Sequence, residues 1–255
     1  MHGAAANRLV EIEYPSSDGK PMAETDQHRD DMIALIEGLK ARYAPRTDVY
    51  VAGNLLVYYE EGNPKARFAP DVFVVFGVPR RKRRVYKLWE EKKPPSVVIE
   101  VTSRGTWLED EGKKKALYAR LGVTEYFLYD PLAEYLEPPL HGLQLRGGAY
   151  VPMRRGAEES LKSAALGMRL VLEGGRLRLF DLATGEPMLR PKEMEAARQS
   201  AEAARQSAEA RATKEEARAT KEEAARRVAD TRADAAEARA RAAEAELTRL
   251  RARRE

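Results

Sequence analysis

Apolar and polar positions divide the first 190 residues into helical and extended segments. Apolar residues recur at helical spacing between residues 25 and 43, with Thr25 or Asp26 as the predicted N-cap. A second helix is predicted over 106–121, and Gly122 ends it. Apolar runs rich in β-branched and aromatic residues, each bounded by Gly, Pro, Asn or Asp, predict strands at 48–59, 68–78, 97–102 and 125–129.

Turn residues indicate how the segments connect. Gly53-Asn54 predicts a hairpin inside the first run, and Gly174-Gly175 predicts another within 170–180. A further strand is predicted around 142–151. The strand, helix and strand between 97 and 129 imply a right-handed crossover with parallel pairing. The pattern therefore predicts an α/β fold with a mixed sheet.

The composition changes sharply near Pro191. Residues 192–255 contain no Gly, Pro or aromatic residue, and an acid recurs every seven positions from Glu195 onward. This predicts one long helix of about 90 Å at 1.5 Å per residue. Ala fills one seam position of most heptads, and large aliphatic residues occur only at Val228, Leu247 and Leu250. A solvated helix held by i,i+4 charge pairs and a weak Ala-seamed coiled coil are about equally compatible with this pattern.

Length and composition limit the remaining possibilities. With 255 residues the chain has room for one or two domains, which we place as an N-terminal extension 1–24, a domain 25–190 and a charged helical tail 191–255. The absence of Cys excludes disulfides, Cys-ligated zinc and a thiol nucleophile. Three His leave little room for a His-rich metal site, and a net charge of +4 spread over both signs says little about partners.

The apolar runs are too short for a membrane protein. The longest, 72–78, is far shorter than a bilayer requires. Residues 1–10 lack an apolar core followed by a cleavage site, so we expect no signal peptide. We therefore expect a cytoplasmic protein without membrane contact.

Two carboxylates stand out on neighbouring predicted strands. Asp71 follows Pro70 at the start of one strand, and Glu100 lies inside the apolar run 97–101. A carboxylate is expensive to bury in such a run without a partner. Two such groups can share a divalent cation, and Mg²⁺ prefers one or two carboxylates plus water and phosphate oxygens.

A lysine on the second predicted helix is placed to join them. Lys113, Lys114 and Lys115 differ by about 100° each around a helix. The inward stripe of the helix is defined by Trp107, Leu117, Tyr118 and Leu121, and Lys114 and Asp110 fall within it. Asp110 and Lys114 form an i,i+4 pair with the acid first. Lys114 could orient a metal-bound water or stabilise the charge of a transferring phosphate.

Each of these residues also has an ordinary structural interpretation. Asp71 after a proline is typical of turns. Glu100 alternates with apolar neighbours in a way that suits a half-exposed strand. Lys114 could extend past Tyr118 to solvent. Their convergence is what favours a functional site.

The order of these residues resembles the PD-(D/E)XK nuclease superfamily. More closely, about 25–190 is similar to the Uma-two family of bacterial restriction-endonuclease-like proteins. The segments that carry the resemblance are 25–28, 49–64, 69–75, 99–103 and 110–131. The last, beginning Asp110-Glu-Gly-Lys-Lys-Lys, is the most specific.

The resemblance implies a core of order αβββαβ and a set of roles. It implies Asp71 and Glu100 as metal ligands, with the carbonyl of Val101 as a third. The lysine expected two residues after the glutamate is Thr102 here, and Lys114 matches a lysine moved to the next helix.

Two further segments of the resemblance leave alternatives open. His28 matches a family position in the first helix, where a surface or packing role is the favoured interpretation. Glu60 and Glu61 are equivalent candidates for an additional acid.

The function expected from these observations is a Mg²⁺-dependent endonuclease, with Mn²⁺ as an alternative ion and DNA as the nucleic acid. The basic stretch 80–84 is either a phosphate-backbone contact or a solvated loop. The alternative function is a catalytically silent nuclease fold that acts as a binding or scaffold protein and forms homo-oligomers through 191–255. A carbohydrate enzyme using the two carboxylates as acid and base is less favoured, because no Trp-rich sugar platform is evident.

Overall fold

The computed structural model of the chain describes residues 12–17 and 25–252. The predicted extension 1–24 therefore lies outside the described residues except for 12–17, and so does the segment 1–10 in which no signal peptide is expected. The chain forms two compact units, Met1–Glu193 and Met194–Glu255.

Strands dominate the first unit. The helices are α1 Asp26–Arg42, α2 Leu88–Glu91, α3 Trp107–Glu109, α4 Lys115–Leu121 and α5 Pro191–Ala252, with a π-helical segment at Asp110–Lys114 and a 3₁₀ turn at Ala157–Glu159. The strands are β1 Val49–Ala52, β2 Val57–Tyr58, β3 Arg67–Phe68, β4 Val72–Phe76, β5 Tyr86–Lys87, β6 Val97–Val101, β7 Glu125–Tyr129, β8 Leu140–Arg146, β9 Ala149–Pro152, β10 Leu161–Ser163, β11 Met168–Glu173 and β12 Arg176–Asp181.

The main sheet has six strands in the order β1-β4-β6-β7-β8-β9. β6 and β7 run parallel, and every other neighbouring pair is antiparallel. The parallel pair is joined through the helical segment 107–121, as the sequence predicted. The chain is therefore a mixed α/β protein with a mixed sheet, followed by a long C-terminal helix.

The predicted hairpin at Gly53-Asn54 is wrong. β1 pairs with β4 in the main sheet, whereas β2 pairs with β3 and β5 in a separate three-stranded sheet. The turn residues correctly mark where extended structure stops, but they do not determine which strands pair with β1 and β2. At Gly174-Gly175 the prediction is confirmed, because both glycines have positive φ and join β11 to β12.

Both faces of the main sheet are covered. α1 packs on one face in a cluster that includes Val97, Ile99 and Val101, while Val98 packs with Tyr118 and Tyr126 on the other. All five residues of β6 are buried. Glu100 therefore does not lie on a half-exposed strand, because a second layer of aromatic residues covers the face that alternation left open.

The helix predicted over 106–121 is interrupted. Between α3 and α4, residues Asp110–Lys114 form a π-helical turn, and Gly122 ends the helix with φ +84°. An inserted π turn changes the angular position of every later residue, and such turns are frequent at functional sites.

α5 begins at Pro191, the favoured type of residue for a first helical position. The Glu193 side chain accepts a hydrogen bond from the backbone N of Arg190 at 2.8 Å. Further along, exposed i,i+4 ion pairs such as Arg205–Glu209 and Arg218–Glu222 line the helix. No helix in the described ranges is both long and apolar enough to span a bilayer.

Candidate active site

The β4–β6 pairing brings the two predicted acids together. Val72 lies opposite Ile99, and this antiparallel register places Asp71 opposite Glu100. Residues directly opposite in an antiparallel pair project to the same face. The backbone N of Asp71 donates to Glu100 Oε2 at 3.2 Å, and Asp71 Oδ2 accepts from the backbone N of Val101 at 2.8 Å. Each carboxylate is thus held by the backbone of the other strand.

Lys114 completes the group. Its Nζ lies 3.2 Å from Glu100 Oε2 and 2.8 Å from Asp110 Oδ1. The Lys114 side chain is 18% exposed, whereas both acids are fully buried. Lys114, the last residue of the π turn, therefore does not extend past Tyr118 to solvent but contacts Glu100 of the sheet.

The pKa values of both Glu100 and Lys114 are raised above their ordinary values. Burial raises the pKa of Glu100 to about 8 against the opposing effect of the Lys114 charge, and the charges of Asp71 and Asp110 raise it further. Burial alone would lower the pKa of Lys114, but the three carboxylates outweigh it and raise the pKa above its ordinary value. The site thus holds three carboxyl groups around a single lysine, and burial opposes the ionisation of Glu100.

His28 also lies at the site. It occupies the first turn of α1, where Thr25 Oγ1 accepts from its backbone N, and its side chain is 3% exposed. His28 Nε2 lies 3.5 Å from Asp71 Oδ2. Burial would raise the pKa of Asp71, but the His28 hydrogen bond and the Lys114 charge lower it. A surface position for His28 is therefore wrong; its spacing with Met32 and Leu35 on the apolar stripe was the signal for an inward position.

Two tyrosines support the acidic groups. The Tyr118 hydroxyl donates to Glu100 Oε1 at 2.6 Å, and the Tyr126 hydroxyl donates to the backbone O of Asp110 at 3.0 Å. Sequence reasoning assigned Tyr118 only to the inward stripe. The hydrogen bond of Tyr118 to Glu100 depends on the position along β6 at which the helix packs, and no local sequence pattern specifies that position.

Thr102 occupies the position where the superfamily pattern has a lysine. Its side chain is buried, and within the described chain its Oγ1 has no hydrogen-bond partner. Lys114 supplies the cation at Glu100 instead. Glu100 and the cation beside it therefore come from different elements, a strand and a helical segment.

The other candidates lie apart from this group. Glu60 and Glu61 are exposed in the turn after β2, where Glu60 accepts from Asn63. In the basic stretch 80–84, Arg83 is buried against Glu91 with its guanidinium 4.2 Å from the Tyr50 ring centre, so it is a structural residue. The other four basic residues of the stretch are exposed.

The donor set fits a hard divalent cation. Asp71 and Glu100 are carboxylates at opposed positions of β4 and β6, and Asp71 keeps 17% of its side chain exposed. No cluster of three or more acidic or histidine side chains suited to a metal occurs in 12–17 or 25–252. A cation held here would take its remaining ligands from water, backbone carbonyls such as that of Val101, or substrate oxygens, as Mg²⁺ commonly does.

The chain is similar to a family of restriction-endonuclease-like proteins. The family model Uma2, described as "Putative restriction endonuclease", matches residues 3–173. A similar solved structure is the crystal structure of "a putative nuclease belonging to DUF820" from Anabaena variabilis ATCC 29413, with 14% sequence identity and a TM-score of 0.43. That match covers 58% of this chain and 76% of the other. No curated protein matches the chain.

Proposed function

We propose, from the premise that this chain belongs to the Uma2 family, that it is a metal-dependent endonuclease that hydrolyses phosphodiester bonds of nucleic acid. We propose DNA as the substrate and Mg²⁺ as the ion, with Mn²⁺ as a functional substitute. We further propose that it is a PD-(D/E)XK enzyme whose lysine is carried by the helix after β6.

One observation carries the proposal. Asp71 and Glu100 lie opposite each other on neighbouring strands, and the Lys114 ammonium contacts Glu100 at 3.2 Å. Two carboxylates and one cation in a mostly buried pocket are expensive to assemble for stability alone. Such a concentration of charge is typical of a catalytic site.

Each residue has a role that follows from its contacts. Asp71 and Glu100 would hold the cation, and His28 and Tyr118 fix the orientation of these two carboxylates. When bound, a divalent cation lowers the pKa of a coordinated water and neutralises phosphodiester charge.

Lys114 faces the same space as the carboxylates. There its ammonium would hold the attacking water or stabilise the charge that develops on the phosphate. Asp110 is a positioning residue, because its 2.8 Å ion pair holds the Lys114 ammonium next to Glu100.

Plasmid cleavage tests the proposal directly. Supercoiled plasmid is incubated with Mg²⁺ or Mn²⁺ and the wild-type chain, Asp71→Asn or Glu100→Gln. Glu109→Gln is the matched control, because Glu109 is an exposed acid on the adjacent helix α3. We expect metal-dependent nicking by the wild type and the control, and none by the two site variants.

Metal binding gives a second readout that is independent of turnover. Calorimetric titration with Mn²⁺ should show binding to the wild type and to Glu109→Gln, and greatly weakened binding to Asp71→Asn. Cleavage that survives both site substitutions would place the active site elsewhere.

The alternative function is a catalytically silent nuclease fold that self-associates through 191–255. The observation in its favour is the 62-residue α5, a length that hydrolysis does not require. It predicts no Mn²⁺ binding, together with self-association in sedimentation equilibrium that Val228→Glu abolishes. Val228 is one of the large aliphatic residues of α5 and is 53% exposed.

A further inference from the structure

An open groove of about 690 Å³ follows β1, the edge strand of the main sheet. The groove is lined by β1, by α1 and by the stretch 80–83. The backbone N of Arg80 donates to the carbonyl of Thr47 at 2.9 Å, so this stretch lies at the start of β1. At about 3.3 Å per residue, the four residues of β1 extend over about 13 Å.

One end of the groove adjoins the candidate active site. Gly53, which follows β1 and lines the groove, lies so close to the backbone of Asp71 that a side chain there would collide with the Asp71 carbonyl oxygen. The backbone N of Asn54 donates to the carbonyl of Pro70 at 2.8 Å. The groove therefore begins at the loop that carries the first predicted metal ligand.

The opposite end is basic. Arg80 and Lys82 are exposed there, and Arg81 is 62% exposed although it also contacts Glu91. Glu37 is the acidic side chain that lines the groove, and Lys40 pairs with it at 2.9 Å. The remaining cations leave this end with a net positive charge, which attracts a polyanion.

Between the two ends the groove has apolar walls. Ile33 on α1 is 42% exposed, and Ile36 and Leu55 line the groove beside it. Apolar surface next to a row of cations suits a ligand that has both apolar faces and phosphates. An unpaired nucleic-acid strand has both, whereas a duplex stacks its base faces inside.

We propose that this groove holds an unpaired strand of the nucleic-acid substrate next to the scissile phosphate. Its bases lie against Ile33, Ile36 and Leu55, and its phosphates contact Arg80, Arg81 and Lys82. The substrate class is then nucleic acid with a single-stranded extension or an opened end. This inference rests on the proposed function, since it takes the groove to be continuous with the catalytic carboxylates.

Fluorescence anisotropy without divalent cation tests the groove separately from cleavage. The full chain is titrated into a labelled single-stranded oligonucleotide, and into the same sequence as a blunt duplex, at several salt concentrations. We expect tighter binding of the single strand. Lys82→Gln should reduce the slope of log affinity against log salt by about 0.7, the value for one phosphate contact to a single strand.

Two further variants separate apolar contact from charge. Ile33→Ser should weaken binding of the single strand without changing the salt slope, because it removes apolar contact only. Arg154→Gln is the matched charge control: Arg154 is exposed and follows β9, the strand at the other edge of the same sheet. It should leave both affinity and slope unchanged.

The outcomes distinguish the groove from the hydrolase. The groove assignment is overturned if the single strand and the blunt duplex bind with equal affinity. It is also overturned if Arg154→Gln changes the salt slope as much as Lys82→Gln does. If Asp71-dependent plasmid cleavage persists in that case, the hydrolase stands without the groove. Competition by an acidic peptide as effective as the oligonucleotide would also overturn the assignment, because the groove would then recognise charge alone.

Discussion

The hydrogen bond between Tyr118 and Glu100 allows a strict test of the site. Tyr118→Phe removes one oxygen atom and leaves the ring, which packs edge-on against Phe68 and Tyr126 with ring centres 5.1 Å apart in each case. The lost contact is the 2.6 Å donation to Glu100 Oε1, between two fully buried side chains. The variant therefore changes how the carboxylate is held and little else.

The size of the effect follows from the type of hydrogen bond. A buried hydrogen bond to a charged group contributes about 1.5–3 kcal/mol, and its loss leaves an acceptor unsatisfied. Donation by Tyr118 also favours the ionised form of Glu100, so its removal lets a proton compete with a bound cation. At a pH above 8, where the Glu100 carboxyl is ionised, we expect the free energy of unfolding to fall by this amount. Mn²⁺ affinity should fall about tenfold or more, since about 1.4 kcal/mol corresponds to tenfold.

Tyr126→Phe is the matched control. It deletes the same atom from the neighbouring ring, but its hydroxyl donates to the backbone O of Asp110, a neutral acceptor. We expect a loss of about 0.5–1.5 kcal/mol in urea unfolding and unchanged Mn²⁺ affinity by calorimetry. If the two variants weakened Mn²⁺ binding equally, or if Tyr118→Phe left it unchanged, Glu100 would not be a metal ligand that Tyr118 orients.

Three further outcomes are expected. Lys114→Met should lower the single-turnover cleavage rate by about 10²–10³ while calorimetry still detects Mn²⁺ binding; parallel loss of both would give the lysine a purely structural role. Glu91→Gln should lower the free energy of unfolding by about 1–2 kcal/mol at pH 7. The hydrogen bond from Arg83 holds the pKa of Glu91 below its ordinary value. The difference in unfolding free energy between wild type and Glu91→Gln should therefore vanish as the pH falls through that pKa. If the difference persisted in acid, the ion pair would not be its source. Gly53→Ala should lower the free energy of unfolding by about 1–3 kcal/mol through its collision with the Asp71 carbonyl, whereas Gly105→Ala, which meets open space, should not.

The central strands β4 and β6 could be read from the sequence because they are continuous or nearly continuous apolar runs. β6 and β7 were predicted within a residue or two, and their parallel pairing followed from the helix between them. The partner of β1 could not be predicted, because the turn at Gly53-Asn54 looks the same whether the chain folds back or crosses to another sheet.

The site was predictable where one helical or strand face determined it. The inward stripe placed Lys114 and Asp110 toward the sheet, and both lie there. The full burial of Glu100 could not be read from alternation, because the aromatic layer over its face comes from distant segments. The π turn at Asp110–Lys114 has no sequence pattern that distinguishes it from an ordinary helical turn.

The separation of the lysine from the strand affects how the site could change over time. When a glutamate and a lysine lie two residues apart on one strand, neither can shift without distorting the backbone hydrogen bonds of that strand. Here Lys114 lies on a helical segment that contacts the sheet through side chains. A small slide of that segment would withdraw the ammonium while the paired carboxylates keep their ladder contacts. Repacking one helical segment would therefore change the charge at the site while the strands that carry Asp71 and Glu100 stay in place.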